Sequence, residues 1–290
     1  MYSTEDILED HMQINIAVVQ FGMQPFAPAE TLPEAELRVQ QALTRMELFI
    51  KEASSRADMI IFPENFLTVI LEDKVLADYE SRYVQHFQHL ATKYGIDLVP
   101  GSFIEGDRDG LYNTTYYIDK TGTIRGKYRK VNLWHTEKPL LTPGDAASVF
   151  DTQYGRVGLI ICWDLMFPEI FRSMLRQGVE IVICPSFWSF EDAGIGLKYD
   201  PNAEIKLVNA LCTARAFENE IILVYANAGG KFLGSQGILR LIGHSQITTP
   251  FTGPLHILPH SNQEMFIQSV DPAVLKDTED SYTIRKDLGI

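Results

Sequence analysis

Short apolar runs, each too short to be a typical helix, are the feature that most limits how this chain can fold. The clearest runs of mainly aliphatic residues are 14–21, 59–62, 156–162, 180–184 and 221–225. Runs of this length are typical of strands that are covered on both faces, as in parallel sheets. Segments with amphipathic helical spacing lie between them, at 33–56, 78–94, 168–177 and 203–219. The alternation predicts an α/β fold in which helices cover the sheets.

Strands are also predicted to cluster in the middle of the chain. Turn signals separate three segments of strand-like composition, at 96–104, 111–119 and 123–131. Alternation then resumes, and no linker-like or repetitive stretch interrupts the chain. We therefore expect one α/β domain with two sheets over residues 14–270. An N-terminal extension, 1–13, precedes it, and a polar C-terminal tail, 271–290, follows it.

The balance of charged residues limits the class of partner. Asp and Glu total 38 against 25 Lys and Arg, so the net charge is −13. A protein this acidic repels polyanions, which argues against nucleic acid or an anionic membrane surface as a partner.

Targeting signals and cysteine usage indicate the compartment. The first twelve residues lack the basic and apolar regions of a secretory signal, and no apolar stretch is long enough to span a bilayer. Three cysteines, Cys162, Cys184 and Cys212, lack the CxxC spacing of metal sites. We expect a soluble, cytoplasmic protein with free thiols, no disulfide and no bound metal.

Cys162 is the candidate nucleophile. It ends an apolar strand, and a helix is predicted to begin at Pro168, because proline is favoured in the first turn of a helix. A turn between strand and helix exposes a side chain beyond the sheet and offers free backbone N–H groups, which favour a thiolate. The alternative is a buried, inert cysteine, which is the commoner fate of a free thiol.

Glu64 and Lys130 are predicted to follow strands in the same way. Ligand sites in α/β folds gather at the carboxyl ends of strands, so these side chains could converge on Cys162. Addition of a thiol to an amide or nitrile carbon needs a base for the S–H proton and a cation for the developing charge. Glu64 and Lys130 are of the right types. Each also has a simpler interpretation. Glu64 could be a surface carboxylate, and Lys130 could be part of the solvated basic run Lys127 to Lys130.

Short motifs around these residues resemble the Glu-Lys-Cys signature of the nitrilase, or carbon–nitrogen hydrolase, superfamily. The signature itself matches at Phe62-Pro63-Glu64-Asn65, Tyr128-Arg129-Lys130 and Cys162-Trp163-Asp164. Further matches are Thr142-Pro143-Gly144-Asp145, Gly155-Arg156-Val157-Gly158, Pro185-Ser186 and Ala214-Arg215-Ala216-Phe217-Glu218-Asn219. The motifs run in the family's order from Ile14 to about Val270, and it is the ordered set that carries the resemblance.

The resemblance implies both a fold and a set of roles. It implies a four-layer α-β-β-α sandwich with two mixed sheets of the six-stranded type, dimerised or further assembled through helices, and no cofactor or metal. Glu64 would be the general base and Cys162 the nucleophile. Lys130 and the backbone N–H of Trp163 would hold the tetrahedral intermediate, and Glu137 would orient Lys130 and the amide nitrogen. The tail 271–290 is then either a frayed terminus or an arm that crosses to a partner subunit.

The substrate is less constrained. Family members that grip a carboxylate often carry an arginine two to four residues after the nucleophile, where this chain has Asp164, Leu165 and Met166. An apolar or aromatic pocket is predicted instead, with four candidate walls: Trp163, Met166, Trp188 and Phe190. The Cys-Trp-Asp triplet resembles the amidase and carbamoylase branches, so we expect a small amide or N-carbamoyl substrate. A nitrilase acting on a C≡N group is the alternative, as is a non-catalytic binding module whose long loop, 187–202, occludes the site.

Overall fold

The computed structural model describes residues 13–24, 31–67, 70–71, 74–234 and 237–290. Nearly all of the predicted N-terminal extension therefore lies outside the described residues. The strands are β1 Ile14–Gln20, β2 Gly22–Met23, β3 Met59–Ile61, β4 Ile70–Leu71, β5 Lys74–Val75, β6 Asp97–Val99, β7 Ser102–Gly106, β8 Leu111–Ile118, β9 Ile124–Arg129, β10 Ser148–Thr152, β11 Gly155–Leu159, β12 Ile181–Ser186, β13 Ile222–Asn227, β14 Gly229–Gly234, β15 Gly237–Arg240, β16 Gln246–Thr249, β17 Gly253–Ile257 and β18 Glu264–Val270.

The first four helices follow the predicted order, and two further helices lie in the C-terminal tail. They are α1 Leu32–Ala53, α2 Arg82–Tyr94, α3 Pro168–Leu175, α4 Ala203–Asn219, α5 Ala273–Tyr282 and α6 Ile284–Asp287. Two 3₁₀ segments, Cys162–Met166 and Phe190–Lys198, lie between them. The second occupies most of the predicted loop 187–202, so that segment has a defined local structure. Among the helices of the described residues, none is both long and apolar enough to cross a membrane.

Two mixed sheets form the centre of the protein. The first has the order β18-β1-β3-β6-β8-β7, with β9 paired to β8, and its strands β1, β3 and β6 are parallel. The second has the order β10-β11-β12-β13-β16-β17, with β11, β12 and β13 parallel. The second sheet has the six strands that were predicted. The first has seven, because the returning hairpin strand β9 joins the sheet.

The alternation of side chains along β1 shows how the layers are arranged. Ile16 and Val18 belong to the apolar core that also contains Val157, Ile181 and other residues of the second sheet. Ala17 and Val19 belong to a second core, formed with buried residues of α1 and α2. Successive residues of a strand face opposite sides of its sheet, so β1 contacts a sheet on one face and helices on the other. Helices α3 and α4 cover the outer face of the second sheet, which completes the predicted α-β-β-α sandwich.

The C-terminal tail forms helices α5 and α6 and packs on its own chain. Arg285 donates hydrogen bonds to the carbonyls of Val179 and Glu220 at 2.8 and 3.2 Å, and the buried Glu220 carboxylate accepts from the backbone N–H of Ile284. The tail is therefore a structured element, which its polar composition did not predict.

Candidate active site

Glu64 lies just beyond β3, where the segment that follows this strand contacts the end of β12 in the other sheet. Pro63 ends the strand, and the backbone N–H of Glu64 donates to the carbonyl of Ser186, the last residue of β12. The approach of the neighbouring backbone requires a glycine: a Cβ on Gly101 would lie 1.9 Å from the Pro63 oxygen, and Gly101 has a φ of +72°. Glu64 itself is 1% exposed, which excludes the interpretation as a surface carboxylate.

Lys130 follows β9 and points into the sandwich. Its Nζ lies 2.9 Å from Glu64 Oε1 and 2.8 Å from Glu137 Oε2, and its side chain is 2% exposed. The preceding basic residues behave differently, because Lys127 and Arg129 pair with Glu105 and Asp107 in partly exposed ion pairs. The basic run is thus solvated except for Lys130, which is buried between two carboxylates.

Cys162 sits on the predicted turn between strand and helix. Its φ is +46°, which is unusual for a residue with a side chain, and it opens the 3₁₀ segment that precedes α3. The residue is 8% exposed, and its thiol lies near enough to the Glu64 carboxylate, the Lys130 ammonium and the Phe187 N–H for each of them to shift its pKa. The structure therefore brings Glu64, Lys130 and Cys162 together in one buried site.

Asp164 fixes the position of this turn relative to Lys130. The carboxylate accepts from the Ile161 N–H at 3.0 Å, the Tyr128 hydroxyl at 2.7 Å and the Asn132 N–H at 2.8 Å. Tyr128 and Asn132 each lie two residues from Lys130 in sequence. Asp164 makes no side-chain cap of α3, so its contacts indicate a role in holding the cysteine turn against the lysine strand.

Glu137 completes the polar cluster around Lys130. Its Oε2 contacts Lys130 and also accepts from the Trp134 N–H at 2.7 Å, while its Oε1 accepts from Asn113 Nδ2 at 2.9 Å. The amide of Asn113 donates in addition to Glu64 Oε1, at 2.7 Å. Asn113 was missed by the sequence analysis. The available signal was an amide side chain within the buried strand β8, and this signal does not reveal the distant residues that Asn113 contacts.

Burial sets the protonation of these groups. It raises the pKa of Glu64, and the nearby Glu137 carboxylate adds to the increase, while Lys130 opposes it. Burial acts to lower the pKa of Lys130, but the Glu64 and Glu137 carboxylates outweigh it and hold that pKa well above its ordinary value. Lys130 is therefore an ammonium ion with two carboxylate partners.

The thiol of Cys162 is neutral in this environment. Burial raises the pKa of Cys162 well above its ordinary value, the Glu64 carboxylate raises it further, and the Lys130 ammonium opposes both. A backbone N–H, that of Phe187, does favour the thiolate as expected, but burial outweighs it. A neutral thiol must lose its proton as it reacts, and Glu64 is the base within reach.

Aromatic rings lie beside the nucleophile turn. The Trp163 ring centroid is 5.5 Å from that of Trp188 and 4.4 Å from that of Trp134, which the sequence analysis did not select. Trp188 is buried, and its Nε1–H donates to the Glu204 carboxylate at 2.5 Å. His135, exposed at the edge of this cluster, contacts Trp134. Two of the four predicted pocket walls, Trp163 and Trp188, are thus in contact.

The other two predicted walls have different surroundings. Met166 is half-buried against the core between the sheets, and its carbonyl accepts from Arg215 at 3.1 Å. The guanidinium of Arg240 lies 5.2 Å from the Phe190 ring centroid. Phe190 also lines a cavity of about 600 Å³ together with Arg45 and Lys231. Within the described residues, no cluster of His, Cys, Asp or Glu is arranged to hold a metal ion.

Comparisons with known proteins identify the family of this chain. The family model for carbon-nitrogen hydrolases matches residues 15–280. A nitrilase of Pyrococcus abyssi is 28% identical over 89% of this chain and 90% of its own length. A 2-oxoglutaramate amidase of Bacillus subtilis is 27% identical over 83% of this chain and 84% of its own.

A solved structure extends the comparison to the fold. The crystal structure of Saccharomyces cerevisiae Nit3, a member of branch 10 of the nitrilase superfamily, superposes with a TM-score of 0.71 at 25% identity. The match covers 93% of this chain and 94% of that one. The chain therefore belongs to the carbon-nitrogen hydrolase family, within the nitrilase superfamily.

Proposed function

We propose that this carbon-nitrogen hydrolase cleaves the C–N bond of a small, non-peptide amide or N-carbamoyl compound through a thioester on Cys162. The observation that carries the proposal is the buried cluster in which Lys130 contacts both Glu64 and Glu137, with the Cys162 thiol close enough for Glu64 and Lys130 to shift its pKa. It supplies a nucleophile, a base of raised pKa and a fixed positive charge, which together are what acyl transfer from an unactivated amide requires.

In the first half of the proposed reaction the amide is broken. Glu64 takes the thiol proton as the sulfur of Cys162 attacks the carbonyl carbon, and the C=O electron pair moves to oxygen. Lys130 and the Trp163 N–H stabilise this oxyanion. The C–N bond then breaks, its electron pair stays on nitrogen, and the nitrogen takes the proton from Glu64. Ammonia or an amine leaves, and a thioester remains.

In the second half the thioester is hydrolysed. Glu64 takes a proton from water, and the resulting hydroxide attacks the thioester carbon. The C–S bond breaks, the acid leaves, and the sulfur recovers the proton from Glu64. Every proton in this sequence passes through Glu64, and the Glu137 carboxylate holds Lys130 in place throughout. The proposed steps use only side chains and backbone of this chain.

The type of substrate is proposed from the aromatic rings and from the missing arginine. No arginine follows the nucleophile within four residues, and Trp134, Trp163 and Trp188 form a ring cluster at the turn. These features favour an apolar or aromatic substrate over a dicarboxylic one. The 2-oxoglutaramate amidase among the relatives supports amide chemistry, while the P. abyssi nitrilase keeps nitrile hydrolysis as the second candidate.

Ammonia release from panels of small amides, N-carbamoyl compounds and nitriles tests the proposal. We expect turnover of the first two panels, with the best substrates carrying apolar or aromatic acyl groups. Cys162→Ala should lower turnover by at least about 10³-fold, while Cys212→Ala, which changes a buried cysteine outside the cluster, should retain it. Turnover that survives in Cys162→Ala would overturn the proposed mechanism, and turnover of nitriles alone would favour the second candidate.

A non-catalytic binding role would give a different result. In that case the long segment 187–202 would occlude the site, and no panel would be turned over by the wild-type protein. The retained acid, amine and thiol, all buried in one site, favour catalysis, because a binding module has no need of them.

The assembly and cellular location are also proposed. We propose a cytoplasmic homodimer or larger homo-oligomer that binds no nucleic acid, in keeping with the net charge of −13. The tail 271–290 is the proposed contact with a partner subunit, through the outer surface of α5 and α6. Gel filtration of the full chain and of a chain ending at Val270 tests this, and an unchanged oligomer in the shorter chain would exclude the tail as the contact.

A further inference from the structure

We propose that Asn113 is a positioning residue that orients Glu64 for proton transfer from Cys162. This inference rests on the proposed function and goes beyond the four side chains that the sequence motifs suggested. Asn113 lies in the middle of β8 and is 1% exposed. Through this residue, β8 contacts Glu64, Lys130 and Glu137.

The contacts of Asn113 are divided between its side chain and its backbone. Its Nδ2 donates to Glu64 Oε1 at 2.7 Å and to Glu137 Oε1 at 2.9 Å. Its carbonyl accepts from the backbone N–H of Lys130 at 2.9 Å. One residue therefore fixes the separation of the two carboxylates and the place where the lysine leaves its strand.

The orientation of the amide follows from the charges around it. With Nδ2 toward the carboxylates, both N–H groups are used by anionic acceptors, which form the stronger class of hydrogen bond. Among the residues that the structure describes, the Oδ1 atom has no hydrogen-bond partner. The reversed amide would turn an acceptor toward two carboxylates and lose both bonds, so the observed orientation is the stable one.

The same contacts select which Glu64 oxygen is free to act. Oε1 accepts from both Asn113 and Lys130, so two donors hold it. Oε2 is left as the oxygen that takes the thiol proton. Because the amide is neutral, it holds the carboxylate without adding a second cation, and a second cation would weaken Glu64 as a base.

The test is the pH dependence of Cys162 alkylation by iodoacetamide, followed by peptide mass spectrometry, because it requires no known substrate. Asn113→Ala removes two donors to ionised carboxylates, which raises the pKa of Glu64. The pH at which alkylation of Cys162 begins should therefore move upward by about one unit. Turnover of the best amide at neutral pH should fall about 10–100-fold in kcat with little change in KM, since Asn113 acts through Glu64.

Thr114→Val is the matched control. Thr114 is the next residue of the same strand, equally buried, and its hydroxyl has no hydrogen-bond partner. Replacing it with an isosteric apolar residue should leave the alkylation profile and kcat unchanged. An Asn113→Ala protein with the alkylation profile and kcat of Thr114→Val would overturn the inference.

Asn113→Asp covers the case in which the alanine variant does not fold. It keeps the shape but replaces the amide with a third acidic group, so the site should bind an extra proton and the alkylation profile should move at least as far upward. A wild-type profile in Asn113→Asp would also overturn the inference. Failure of the proposed function is distinguishable, because it would appear as absent turnover in the wild type while the alkylation profiles of the variants still report on Asn113.

Discussion

At the scale of single residues, one buried ammonium determines the protonation of the whole site. Lys130 lies between Glu64 and Glu137 with contacts of 2.9 and 2.8 Å, and all three are largely shielded from water. Two carboxylates at such a distance cannot both remain ionised in a dry site without a cation. In the proposed mechanism, Lys130 thus keeps Glu64 available as a base. Glu64 then takes the proton that the neutral thiol of Cys162 must lose.

Lys130→Met tests this balance. The variant keeps the length of the side chain but leaves two carboxylates without a cation, so the pKa of Glu64 rises further. Since only ionised Glu64 can accept the thiol proton, activity at low pH is lost first, and the acid limb of kcat/KM moves to higher pH. The loss of the oxyanion partner should also lower kcat about 10²–10³-fold. Steady-state kinetics across pH measure both effects.

Lys127→Met is the control for this prediction. Lys127 is on β9, the strand that Lys130 directly follows. Its side chain is 40% exposed, and its partner is Glu105 rather than a residue of the site. Its removal should change kcat/KM less than about twofold and leave the pH profile in place. Equal pH profiles for the wild type and Lys130→Met would contradict the account of the ammonium.

The sequence predicted which residues form the site better than it predicted their contacts and their protonation. Glu64, Lys130 and Cys162 follow strands, and the local motifs identify them. Asn113 makes its contacts with residues at positions 64, 130 and 137, and such distant contacts have no local signal in a single sequence. The neutral thiol of Cys162 was missed for a related reason, because its cause is the depth of burial, which only the packed sandwich determines.

At the scale of elements, the site depends on a contact between the ends of strands that belong to opposite sheets. The Glu64 N–H donates to Ser186 at the end of β12, and Asp164 links the cysteine turn to both sides of Lys130. The order of helices and strands was predicted from apolar periodicity. Strands β15 and β16 follow each other closely in the sequence, but they separate at Leu241 to Ser245 and belong to different sheets.

Gly101→Ala should disturb the site through this junction. The new Cβ would lie 1.9 Å from the Pro63 oxygen, so the segment that carries Glu64 must shift. We expect kcat to fall by at least about 10-fold, because small displacements of a catalytic group are costly. Gly95→Ala is the control, since Gly95 has a similar φ of +64° but nothing within 4 Å of its Cβ position. Kinetics and thermal denaturation of both variants measure the difference, and equal losses of activity would contradict the prediction.

At the scale of the whole molecule, the C-terminal tail packs against the segments that follow α3 and α4. Glu220 follows α4, is fully buried, and pairs with Arg285 of α6 at 3.6 Å. The tail was predicted only as a polar segment, because its helices depend on contacts with distant residues, among them Val179 and Glu220, which a local sequence pattern does not reveal.

Arg285→Met should destabilise the protein without affecting the active site. It leaves a buried carboxylate with no cation, and such a loss costs about 3 kcal/mol of unfolding free energy. Lys276→Met, in the exposed pair with Asp280 on α5, should leave the unfolding free energy nearly unchanged. Urea denaturation measures both, with kcat as a check on the active site. Equal unfolding free energies for the two variants would show that Arg285 does not hold the tail in place.

The central claim is that the acyl group of an amide substrate is carried by Cys162, and mass spectrometry of protein quenched with acid during turnover tests it most directly. The account predicts the acyl mass on the peptide that contains Cys162, its absence from the peptides that contain Cys184 and Cys212, and no adduct in Cys162→Ala. Steady turnover with no acyl mass on Cys162, or with the acyl mass on another residue, would contradict it.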